Sequence, residues 1–151
     1  IEREGYSSNL YLAMASWAET KGMAGIAAWL YAQADEEKEH MLKFIKWVNE
    51  RGGTAIIPEF KKPPVKYKGV PELFAEVLKH EQFISASINE VLEVAIAEKD
   101  HATTNWIQWF VDEQVEEEKN ASEIVEWLKM AGESRNTLVM LNRQLAERGD
   151  D

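Results

Sequence analysis

The stretch Gly53-Thr-Ala-Ile-Ile-Pro58-Glu-Phe-Lys-Lys-Pro63-Pro64-Val-Lys-Tyr-Lys-Gly69-Val70 holds three of the chain's four prolines, and the fourth, Pro71, borders it. Proline lacks a backbone donor and breaks a helix interior, so these residues read as a connection. Outward from it, Gly22, Gly25, Gly52, Gly53 and Gly132 mark the remaining joints. The breakers predict five helices: 1 to about 21, about 24–51, 71 to about 98, about 102–130, and a short fifth over 134–148. Four of them exceed the mean helix of roughly 11–12 residues. Tight turns near Gly22 and Asp100 make each flanking pair antiparallel. Fully extended, the connection reaches roughly 60 Å at about 3.3 Å per residue. A helix of that size class is only about 42 Å long at 1.5 Å per residue. The connection can therefore run the length of a bundle and leave the third helix parallel to the second. The expected fold class is all-α, a four-helix bundle with one long crossover connection and a short fifth C-terminal helix, in a single domain over 1–151.

Composition narrows the function. The 151 residues carry a net charge of −10, which argues against a nucleic-acid partner, because phosphates are neutralised by Lys and Arg. No apolar run approaches the roughly 18 residues of a membrane span, so no membrane partner is expected. The polar opening Ile1-Glu2-Arg3-Glu4 shows no signal peptide, and a cytoplasmic location is expected. With no cysteine, disulfides and thiolate metal sites are excluded.

The apolar stripes carry the chemistry where they break. Helix two reads Leu30, Ala34, Met41, Phe44 and Val48, interrupted by Glu37. Helix three reads Phe74, Leu78, Ser85, Ile88, Leu92 and Ala95, interrupted by Glu81. Helix four reads Ile107, Phe110, Ala121, Ile124 and Leu128, interrupted by Gln114 and Glu117. Helix one reads Ile1, Ser8, Tyr11, Ala15 and Ala18, interrupted by Glu4. One buried polar group is usually a satisfied core residue. Four at matching depth need another reason, because clustered carboxylates repel unless a multivalent cation holds them. Depth matches because Glu4 to Glu37 and Glu81 to Gln114 are both separated by 33 positions across a turn.

A shift of 77 positions lays Trp29, Asp35, Glu36, Glu37, Glu39 and His40 onto Trp106, Asp112, Glu113, Gln114, Glu116 and Glu117. The same shift carries Glu4 onto Glu81. Such a repeat predicts a pseudo-twofold arrangement with one helix pair on each side of the metals. Dinuclear carboxylate bundles take one Glu from each of two helices and Glu-x-x-His from each of the others. Here Glu4 and Glu81 supply the first kind and Glu37-x-x-His40 the second, while helix four departs with Gln114-x-x-Glu117. The donor set Glu4, Glu37, His40, Glu81, Gln114 and Glu117 is oxygen-rich, which suits iron or manganese better than a closed zinc site.

Four segments carry a family resemblance: Glu4-Gly-Tyr-Ser-Ser-Asn-Leu-Tyr11, Glu36-Glu37-x-x-His40, His80-Glu81, and the run from Gln108-Trp109 to Glu118. With these the chain resembles the non-haem bacterial and archaeal ferritins over nearly its whole length. The resemblance implies a homo-oligomer, a hollow cage of twenty-four subunits. It implies oxidation of Fe(II) with dioxygen or hydrogen peroxide and storage of a ferric mineral. Glu4, Glu37 and His40 would hold the first iron; Glu37, Glu81 and Glu117 the second, with Glu37 bridging and Gln114 beside the site. A third iron site would match Glu36, Glu113, Glu116 and Glu117, although Glu116 to Glu118 alone would read as a solvated charge run. Tyr11 and Trp109 match aromatic residues near the family's centre, where they would donate electrons; a lone aromatic on a helical stripe otherwise reads as packing. Trp17, Trp29, Trp47, Trp106 and Trp127 read as packing or interface residues, and His80 and His101 as surface histidines.

The chain also departs from its relatives. Lys38 stands where bacterioferritins place a haem-ligating Met, so no haem is expected. Thr104 and Ile107 replace the acidic threefold-channel residues of animal ferritins. Glu4 lies near the start although its partners are mid-helix, so helix one is expected to begin about ten residues earlier, with the N-terminal part missing. The run Leu138-Val-Met-Leu141 exceeds what a four-helix core needs, and its helix would cover a core end or meet other subunits, lining the fourfold axis in the resembled family. Two rivals remain at this level: a non-cage diiron peroxidase of the rubrerythrin kind without its Cys₄ domain, and a metal-free structural bundle.

Overall fold

The computed structural model describes residues 1–132 and 134–148. Among them are five helices and no strand: α1 (Glu2–Thr20), α2 (Ala24–Glu50), α3 (Val70–Ala97), α4 (His101–Ala131) and α5 (Arg135–Arg148). The predicted ends hold to within a residue or two, because the breakers fall where the backbone needs them. The chain's described residues form two compact units, one of residues 1–68 with 134–148 and one of residues 69–132.

The first unit contains α1, α2, the crossover and α5. Its hairpin is antiparallel. Ser8 Oγ donates to the Ala34 carbonyl at 2.7 Å, Tyr11 meets Trp29 edge-on at 6.4 Å, and Glu4 lies with Glu37. Each pair falls at nearly the same distance either side of the turn at Lys21. Phe44 and Val48, expected in the core, are only half-buried.

The buried face is broader than the single stripes predicted. In α1 it adds Leu10, Met14 and Trp17, and in α2 Ile26, Ala27 and Trp29. An apolar face spans about 100° of a helix, so columns beside the central stripe are covered too. Burying such a side chain contributes roughly 1.5–3 kcal/mol.

α5 packs on the start of α2. Its Leu141 and Leu145 are buried, and Asn142 Oδ1 accepts from the amides of Gly25 and Ile26 at 2.9 and 3.0 Å. Those two amides belong to the first turn of α2, which has no side-chain cap from Met23. Asn142 thus supplies the missing cap from another helix. Gly25 is required there, since a Cβ would collide with the Asn142 carbonyl. The fifth helix therefore covers an end of this unit's core; Val139 and Met140 remain exposed.

The second unit is the α3–α4 hairpin. Its core is Val70, Leu73, Phe74, Val77, Ile84, Ile88 and Ala95 from α3, with Ile107, Phe110, Ala121, Ile124 and Leu128 from α4. The α4 stripe is the one expected. In α3 the expected Leu78, Ser85 and Leu92 are half-buried, while Leu73, Val77 and Ile84 beside them lie inside. Asp100 caps α4, accepting from the Thr103 amide at 3.1 Å. No helix among the described residues is long and apolar enough to cross a membrane.

Candidate metal centre

Glu37 and His40 sit three apart on α2, so helical pitch puts them on one face. Glu4 meets them from the first turn of α1. All three are buried, and one ligand atom from each lies within 4.8 Å of the others. His40 Nδ1 is 3.4 Å from Glu37 Oε2. Burial, helped by the charge of Lys43, pushes the His40 imidazole down to about 4, so it is neutral at pH 7 with a lone pair for a cation. Burial pushes Glu4 above the usual carboxylate range, against a hydrogen bond with Glu37 and the N-terminal charge, which both lower it. Glu4 Oε2 is buried and has no hydrogen-bond partner among the described residues. A buried carboxylate oxygen left in that state is costly. Two carboxylates and a neutral imidazole turned together, one oxygen unmatched, are a donor set that fits a divalent cation, and the oxygen majority fits iron or manganese.

The second unit carries the repeat's counterpart. Glu81 is 1% exposed, and Gln114 and Glu117 are also buried. The Gln114 amide donates from Nε2 to Glu81 Oε2 at 3.2 Å, to the Glu81 carbonyl at 3.3 Å and to Ser85 Oγ at 3.4 Å. Where the first unit sets carboxylate against carboxylate, this one sets an amide donor against a carboxylate. Ser85, expected only as a stripe position, is a partner of the site. Its signal was available, since it lies one turn after Glu81.

The remaining expected residues divide. Tyr11 is buried and edge-on to Trp29. Trp109 is 42% exposed and packs edge-on against Phe110 at 4.9 Å. Glu36 and Glu116 are exposed and Glu113 half-buried; Glu36 accepts from Gln33 Nε2. His101 is exposed as expected. His80 is half-buried and 6.2 Å from the Phe83 ring, and burial pushes it down to about 4.

Residues 1–131 match the Ferritin-like domain family. The chain is 38% identical over 145 residues to the bacterial non-heme ferritin of Campylobacter jejuni, covering 96% of this chain and 87% of that one. It is 36% identical over 148 residues to the bacterial non-heme ferritin of Bacteroides fragilis, covering 98% and 92%. Among solved structures, an open-pore ferritin of the hyperthermophilic archaeon Archaeoglobus fulgidus superposes with a TM-score of 0.94 at 39% identity, over 96% of this chain and 88% of that one. A closed form of the Archaeoglobus ferritin, engineered by mutagenesis, gives 0.92 at 40% identity, over 95% and 87%. The all-α, four-helix fold class with a short fifth helix, read first from breakers and stripes, is the fold of these relatives. The chain belongs to the ferritin family, among the non-haem bacterial and archaeal ferritins.

Proposed function

We propose that the chain is an iron-storage subunit that oxidises Fe(II) at a dinuclear centre and deposits ferric mineral inside a cage of twenty-four copies. One observation carries the reading: Glu4, Glu37 and His40 are buried together with their donor atoms within 4.8 Å. The 33- and 77-position spacings support adding Glu81 and Glu117, which with a bridging Glu37 hold the second iron, and Gln114 beside the site. Iron is the substrate here. The two carboxylates offset the charge of an entering Fe(II) ion, and neutral His40 replaces one of its waters. Four Fe(II), one dioxygen and four protons give four Fe(III) and two waters; with peroxide, two Fe(II) and two protons suffice. The harder Fe(III) product hydrolyses and leaves as mineral. Gln114 and Glu117, where a symmetric centre would have Glu and His, favour a transient occupant over a resident cofactor. Glu36, Glu113 and Glu116 with Glu117 form the third iron site in this reading, and Tyr11 and Trp109 the nearby electron donors. No haem is involved, and a cytoplasmic location goes with the role.

Two measurements test the proposal. Solution mass is expected to give the twenty-four-subunit assembly, and aerobic Fe(II) addition a fast rise in ferric absorbance that Glu37→Ala removes. A small oligomer would sink the cage, and a Glu37→Ala trace equal to wild type would sink the centre.

A further inference from the structure

Glu4 on α1 is only 3% exposed. Part of the cover beside it comes from the crossover. There Ile56, Ile57, Glu59 and Lys61 are exposed, while Phe60 between them is turned inward and half-buried. A Cβ on Gly5 would lie 2.5 Å from Phe60 Cε1 and Cζ and 2.8 Å from Met41 Sδ. The ring edge and the thioether therefore share the notch left by the missing side chain of Gly5. Gly5 follows Glu4 directly, and Met41 follows His40.

We propose that Phe60 is a positioning residue for the trio, its ring wedged between Gly5 and Met41 so that the crossover fixes the turns bearing Glu4 and His40 and shields them from water. The proposal rests on reading Glu4, Glu37 and His40 as a metal site. An apolar wall beside such a site controls solvent access and sets the rate at which a bound ion exchanges. Simple core packing makes a different claim, in which Phe60→Ala lowers stability while a bound ion is held as before.

Co(II) is the probe, because its visible bands report ligand number and geometry. The full-length protein, free of iron, is loaded with Co(II) at pH 7, and release to an excess of chelator is timed. Wild type is expected to show Co(II) bands that Glu37→Ala abolishes; bands indifferent to Glu37 would remove the metal reading itself, whatever Phe60 does. With that control in place, Phe60→Ala is expected to alter the bands and speed release by about tenfold, with Phe60→Leu restoring most of the wild-type rate. Gly5→Ala, whose new methyl must displace the ring, is expected to speed release in the same direction. Far-ultraviolet circular dichroism accompanies each variant. Should Phe60→Ala lose its helical signal, Gly5→Ala and Phe60→Leu decide. Folded variants with wild-type bands and wild-type release overturn the proposal.

Discussion

Gly22 at φ +72° ends the first hairpin's leading helix, and Lys99, 77 positions later, does the same in the second at φ +56°. Both turns close with the same hydrogen bond, from Met23 N–H to the Ala18 carbonyl and from Asp100 N–H to the Ala95 carbonyl. Here the repeat is kept in the backbone although the residue differs. At the polar positions the opposite holds. The first hairpin turns two carboxylates and a neutral imidazole together, and the second pins one carboxylate with an amide. A duplicated frame therefore tolerates change at each polar position independently, and the two halves differ in what they ask of a cation. The first half leaves a buried Glu4 oxygen without a hydrogen-bond donor among the described residues, whereas Glu81 in the second already has one.

The comparison breaks most readily at the metal. Calorimetric titration of the iron-free protein with Zn(II) should show the high-affinity step weakened roughly 100-fold in His40→Ala. Gln114→Ala should leave that step in place; an equal loss from both would mean that the halves do not differ in this way.

A smaller effect lies in the acid limb of stability. Burial lowers both His40 and His80 from the usual 6.5 to about 4. Above 6.5 each is neutral whether folded or not. As pH falls from 6.5 toward 4, only the unfolded chain takes up the protons, so stability is lost over that window. Glu4 acts the other way: with its folded value raised, its contribution is whole below the usual 4.5 and is lost as pH rises through the raised value. Chemical denaturation of the metal-free protein at pH 7 and 4.5 should show His80→Gln losing about 2 kcal/mol less than wild type between them. An unchanged difference would return His80 to the surface.

The smallest effect is in the turn. A non-glycine residue in the left-handed region costs roughly 1 kcal/mol, so Lys99→Gly should raise the melting temperature by a few degrees. No rise would show that Lys99 already has compensation that Gly22 lacks.

Much of this was legible because it is local or periodic. The i,i+3 spacing of Glu37 and His40, the breakers at Gly22 and Gly52, and the 77-position repeat all depend on neighbours along the chain. Periodicity told which face of α3 was apolar but centred it a column away from Leu73, Val77 and Ile84, since it counts residues and not the width of the partner. What stayed hidden is non-local. Nothing around Phe60 signals that its ring rests on Gly5, nor does anything around Asn142 mark it as the cap of α2. The partial burial of His80 is hidden for the same reason: a histidine next to an inward glutamate looks fully outward until Phe83 packs near it.

The cap from Asn142 also orders events in time. Unit one is discontinuous, its parts separated by the whole α3–α4 hairpin. On a ribosome, α1, α2 and the crossover emerge before α3 and α4, yet the first turn of α2 keeps two amides waiting until residue 142 arrives. The hairpin that carries the trio is thus made before the α3–α4 hairpin and completed after it. Its final stitch is tied by a segment synthesised after every donor of either half.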